Sequence, residues 1–140
     1  MFACTIHTQP KKPIAERLRM IYADLVSIFR QWQPEAVALE NVFFHKDFKA
    51  AVKIGEARAA AMIAAGECGI PVMEYLPTRV KASVCGNGRA DKSQVQYMVQ
   101  RILNIREKLE PDTADAIAVA LCHLQVHRFN QIKEKKVQYV

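Results

Sequence analysis

The stretch AVALENVFFHKDFKAAVKIGEARAAAMIAAGECGIPVMEY, residues 36–75, sets two short apolar runs on either side of one long alanine-rich segment. AVALE (36–40) is apolar up to its closing acid and too short for a helix, which predicts a strand covered on both faces. KAAVKIGEARAAAMIAAGEC (49–68) has the length and composition of a helix and is stopped by Gly69 and Pro71. A second strand is expected at residues 72–75. Strand, helix and strand in this order are the pattern of an α/β sheet with helices on both sides of short apolar strands.

The same alternation continues outward. Phe2, Cys4 and Ile6 share one side of residues 2–8, a segment read as a strand that stops before Pro10. From residue 15 to 33, Leu18, Ile21, Tyr22, Leu25, Ile28, Phe29 and Trp32 form one stripe of an amphipathic helix, ended by Pro34. On the other flank, a short helix is expected at 78–84 after Pro77, and the turn CGNGRAD leads into a helix at 92–103 with Val95, Met98, Val99, Ile102 and Leu103 as its apolar positions. PDTADAIAVALCH (111–123) opens the last helix. The polar, basic FNQIKEKKVQY near the end reads as a frayed tail, giving one domain over residues 1–128 and a tail over 129–140.

Composition narrows the classes of function. With 51% hydrophobic and 24% charged residues in 140, the chain is a soluble protein able to bury a core. Its net charge of +6 fits an anionic partner such as nucleic acid, or a surplus of solvating lysines. Cys4, Cys68, Cys85 and Cys122 stand far apart without CxxC spacing, so buried, reduced thiols are expected rather than a disulfide frame or zinc site. No run approaches the roughly 20 apolar residues of a membrane helix, and the start lacks a signal-peptide pattern, so the expected location is the cytoplasm.

Three acids stand out by position. Glu40 closes a buried strand, and in open α/β sheets ligands gather at the carboxyl ends of strands. A strand reaching water can equally end in a charge. Asp112 and Asp115 lie at i and i+3, on one face of the first turn of the last helix. The helix dipole stabilises acids there by about 0.3–1 kcal/mol each, which accounts for one of them. Two on one face, leading into Ala116, Ile117, Val119, Ala120 and Leu121, repel each other unless something positive sits between them. A strand-end Glu with two helix-start Asp residues is an arrangement that holds a divalent cation for phosphoryl transfer, and hard oxygen ligands favour Mg²⁺ or Mn²⁺ over zinc.

Three segments, LENVFFHKDFKAAVKIGEARAAA, GIPVMEYLPTRVKASVCGNGRADKSQVQYMV and DTADAIAVALCH, in this order and spacing resemble the bacterial RuvC Holliday junction resolvases, members of the ribonuclease H-like nuclease fold. The resemblance runs from about Phe2 to His123. It implies a mixed α/β sheet flanked by helices, and a metal-dependent endonuclease that resolves four-way DNA junctions by symmetrical nicking in recombination and repair. Glu40, Asp112 and Asp115 match the family's metal-binding catalytic carboxylates, with Mg²⁺ as the cofactor and Mn²⁺ as the alternative. Lys81 and Lys92 match lysines near the scissile phosphate or along the DNA path, and Phe43 matches an aromatic that stacks on a base near the crossover. Arg79, Arg89 and Lys46 are further candidates for contact with the DNA backbone. The resemblance also implies a homodimer through the alanine-rich helix, whose small residues fit close packing within one core as well, and it brings in RuvA and RuvB, the family's branch-migration proteins, as further partners.

One departure accompanies these agreements. Family members start with a strand carrying an I-D-P-G type motif, whose Asp is the first metal ligand, and then a second strand; this sequence starts at what resembles the third. The sheet is therefore expected to be N-terminally incomplete, with both strands missing and cation affinity and cleavage severely reduced. Glu16, Asp24 and His7 do not replace the absent ligand. Three readings stay open: a resolvase whose natural N-terminus extends further, a nuclease-dead protein that binds branched DNA, and a decayed gene product or a domain turned to protein contacts.

Overall fold

The computed structural model describes residues 3–41, 48–107 and 109–137, with side chains to residue 131. In chain order the elements are α1 (Ile14–Trp32), β1 (Val37–Glu40), α2 (Phe48–Glu67), β2 (Val72–Tyr75), α3 (Pro77–Cys85), α4 (Lys92–Leu103) and α5 (Pro111–Val137). Residues 36–75 form the strand, helix and strand their pattern predicts, and the structure adds that β1 and β2 pair in a small parallel sheet with α2 as the crossover. The chain divides into two compact units, Met1–Glu74 and Tyr75–Val140.

In the first unit α1 packs on α2. Val26 and Phe29 of α1 and Ala64 and Ala65 of α2 are buried together, with Tyr22, Leu25, Ile28, Val37, Ile70 and Val72 packed around them. The alanines let the helix axes approach, and burial of a side chain such as Phe29 contributes about 1.5–3 kcal/mol. Both helices end as their sequences require. Gln33 takes a left-handed conformation and donates its N–H to the Phe29 carbonyl, while Gly69, at φ 68°, lets the Ile70 N–H reach the Ala65 carbonyl at 2.9 Å.

The second unit is a helical layer in which α3, α4 and α5 pack on one another. Its buried side chains are Tyr75, Val80, Val84, Ala90, Val95, Val99, Ala114, Ile117, Ala118, Val119 and Cys122. Pro77 at the first position of α3 uses its fixed φ to start that helix, and Gly86 closes it in the left-handed region. Asp91 starts α4 with a capping box: its carboxylate accepts the Gln94 N–H, and the Gln94 side chain accepts the Asp91 N–H.

Four expectations are corrected. Residues 3–8 form no strand, because alternation of apolar residues supplies no ladder partner, and a strand without one leaves its backbone groups to water. β1 is half-buried rather than covered on both faces, since it pairs with one strand among the described residues. Trp32, placed on the buried stripe of α1, is 55% exposed at the helix end. Of the four thiols, all free, only Cys122 is buried. In addition, α5 stays helical through Val137, into the segment expected to fray.

Candidate active site

β1 ends in Glu40, and its exposed side chain is presented at the carboxyl end of the strand. Beneath it runs Arg58 of α2. This guanidinium donates one hydrogen bond to the Glu40 main-chain carbonyl and another to the Glu74 carboxylate of β2, 2.5 Å away.

In the second unit, Asp112 lies exposed in the first turn of α5, and Asp115 follows it half-buried on the same face. Lys92, the first residue of α4, reaches Asp115 with Nζ 3.2 Å from Oδ2. The structure thus brings together two of the residues singled out in the sequence, and the positive group that paired acids require is in part a lysine. Its position follows from the capping box, because Asp91 sets where α4 begins. The Ser93 hydroxyl, followed by the Gln94 N–H, holds the Asp91 carboxyl below its usual range. Lys81, half-buried on α3, acts on Asp91 in the same direction, which places its charge within electrostatic reach of the start of α4.

The start of α5 is itself tied down. Gln96 and Gln100, one turn apart on α4, donate to the main-chain carbonyls of Leu109 and Glu107, and Ala114 donates its N–H to the Glu110 carbonyl at 3.0 Å. Further along, the Tyr75 hydroxyl and His123 Nδ1 are 2.8 Å apart, which pins the fourth turn of α5 to the first residue of the second unit. Burial pushes the Tyr75 phenol above its ordinary range. Arg79 lies over the Tyr75 ring, 5.9 Å from its centre, and keeps an exposed charge. Arg89 is exposed in the turn before α4. Phe43 and Lys46 lie outside the described residues.

Four of the contacts come from three residues that sequence reasoning passed over, Arg58, Gln96 and Gln100. The signal for the glutamines was their spacing of four on the α4 face that meets α5. For Arg58 it was a single long cation inside an alanine run. Carboxylates are the donor chemistry a hard divalent cation takes, and Glu40, Asp112 and Asp115 supply it. Within either unit, among the described residues, three or more His, Cys, Asp or Glu side chains do not gather into a metal-sized group. Among the described residues, no helix is long and apolar enough to cross a membrane.

The family model for crossover junction endodeoxyribonuclease RuvC matches residues 2–123. The protein of that name from Pelotomaculum thermopropionicum is 45% identical over 134 residues, covering 95% of this chain and 80% of the relative. The one from Citrifermentans bemidjiense is 48% identical over 118 residues, covering 84% and 72%. Among solved structures, Thermus thermophilus RuvC superposes with a TM-score of 0.81 at 39% identity, over 89% of this chain and 76% of that one. The same protein in complex with Holliday junction substrate gives a TM-score of 0.83 over the same shares.

Proposed function

The chain belongs to the RuvC family of crossover junction endodeoxyribonucleases, and from that premise we propose that it is a structure-specific endonuclease that resolves four-way DNA junctions in recombination and repair. The observation that carries this reading is the family match over residues 2–123, nearly the whole chain. The fold it shares at 39% identity with a RuvC solved on a Holliday junction supports the same substrate.

In this reading Glu40, Asp112 and Asp115 hold Mg²⁺, or Mn²⁺, in the cytoplasm of a cell. The cation supplies charge neutralisation at the phosphate and a water of lowered pKa. Lys92 leaves Asp115 to meet the scissile phosphate, and Lys81 adds positive potential from α3. Arg79, Arg89 and Lys46 track the DNA backbone, and Phe43 stacks on an unpaired base. The whole of residues 1–128 serves as the nuclease domain, with residues 129–140 beyond it. Two copies act together, since a junction of approximate twofold symmetry takes two opposed nicks. Support for α2 as the dimer-facing element is its exposed stripe of Phe48, Val52 and Ile63, which are 77, 42 and 63% exposed. RuvA and RuvB are the partners that would deliver the junction.

The test is paired nicking of a four-way junction. Glu40→Gln and Asp112→Asn are expected to abolish metal-dependent cleavage and retain junction binding. Cleavage that persists in either variant removes that acid from the metal site. Binding with no cleavage by the unaltered chain makes it a branched-DNA-binding protein instead.

A further inference from the structure

Arg58 is a cation held where cations are costly. Its side chain is 16% exposed, on a turn of α2 shared with Ala57, Ala59, Ala60 and Ala61. A guanidinium removed from water needs its charge and its donors matched. Both needs are met at the sheet: one terminal nitrogen donates to the main-chain carbonyl of Glu40, the last residue of β1, and the other to Oε2 of Glu74, next to last in β2. One side chain therefore ties the carboxyl ends of the two paired strands to the crossover helix between them.

We infer that Arg58 is a positioning residue for the Glu40 carboxylate, an inference that rests on reading Glu40 as a metal ligand. A carboxylate at a strand end is only as well placed as the main chain from which it projects, and past Glu40 the ladder has stopped. The bond from Arg58 fixes the peptide plane at that point. Glu74 sets the angle of the guanidinium, so that the fork meets the carbonyl. Lysine cannot do the same, because a point charge on a flexible stem does not hold two diverging acceptors in one plane. Groups that orient a metal ligand typically matter by roughly 10–100-fold in metal affinity.

The experiment measures Mn²⁺ affinity by calorimetry, junction affinity in EDTA, and cleavage, for Arg58→Lys, Glu74→Gln and Glu40→Gln. Arg58→Lys and Glu74→Gln are expected to bind Mn²⁺ roughly tenfold more weakly, with junction affinity in EDTA unchanged and cleavage reduced in kcat rather than KM. Loss of metal and junction binding together would assign Arg58 a merely structural role and overturn the inference. Wild-type Mn²⁺ affinity in Arg58→Lys, alongside a loss in Glu40→Gln, overturns the inference alone. Unchanged Mn²⁺ affinity in Glu40→Gln overturns the metal-site reading and the inference with it. Should Arg58→Lys not fold, Glu74→Gln, which removes only the counter-charge, decides by the same measures.

Discussion

Lys92 and Asp115 are bound to each other across two helices, Nζ to Oδ2 at 3.2 Å. The pair is open to water, with side-chain exposures of 73 and 36%, so salt screens it and its contribution to stability is about 0–1 kcal/mol. Lys92→Gln is therefore expected to leave the unfolding midpoint close to that of the unaltered protein. Single-turnover junction cleavage should fall roughly tenfold or more if, as proposed, the charge acts on the phosphate. A cleavage rate that does not change takes Lys92 out of the mechanism.

Alkaline stability turns on Tyr75. The residue is 4% exposed, and burial, with Cys122 adding and the Arg79 charge opposing, raises its phenol above 10.0. The folded chain thus keeps a proton that the unfolded chain releases. The resulting stability is complete below pH 10 and is lost as pH climbs through the higher folded-state value. Tyr75→Phe is expected to cost about 1 kcal/mol at neutral pH for the lost bond to His123, and to show a shallower decline between pH 9.5 and about 11. Urea midpoints across that range check both.

Gly88 is required by space. A Cβ there would stand 2.9 Å from the Thr78 carbonyl oxygen, a main-chain atom at the start of α3. Gly88→Ala forces the turn away from α3 and is expected to destabilise by about 1–3 kcal/mol. Equilibrium unfolding measures this directly, and an unchanged midpoint would mean that the turn yields freely.

Asp91 gives the opposite pH signature. Its carboxyl is held below 3.8 by the Ser93 hydroxyl and the Gln94 N–H, so the stability it confers is present above that pH and fades as pH falls through the lower folded value. Asp91→Ala should melt below the unaltered protein at pH 7, and the gap should close in acid. The start of α4 carries Lys92, so cleavage should weaken in the same variant.

Local punctuation made much of this fold readable. Asp91 with Gln94, Pro77 after an extended residue, and Gly69 before Pro71 act within a few residues, and the helices begin and end beside them. What the sequence could not show were relations between distant segments. Alternation at Phe2, Cys4 and Ile6 looks like a strand whether or not a neighbour exists to receive its hydrogen bonds, and residues 3–8 have none of that regular structure. AVALE reads as fully covered because apolar composition does not reveal how many strands flank it.

The site divides along the same line. Glu40, Asp112 and Asp115 draw attention because acids at the ends of apolar elements stand out in a sequence. Arg58, Gln96 and Gln100 do not, since a long polar side chain on a helix usually points to water. Their function is to satisfy main-chain carbonyls 18, 13 and 7 residues away, which only the folded backbone makes visible.

The division of α5 into a packed beginning and an exposed continuation bears on how descendants of this protein can change in length. Ala114, Ile117, Ala118, Val119 and Cys122 lock its early turns into the core, whereas Leu124, Gln125, His127, Arg128 and Phe129 are exposed. One residue gained or lost between Asp115 and Ile117 would turn the two acids about 100° against that core. The same insertion after Leu124 would leave their bearing untouched. Length variation in this helix should therefore accumulate past its fourth turn and be purged before it.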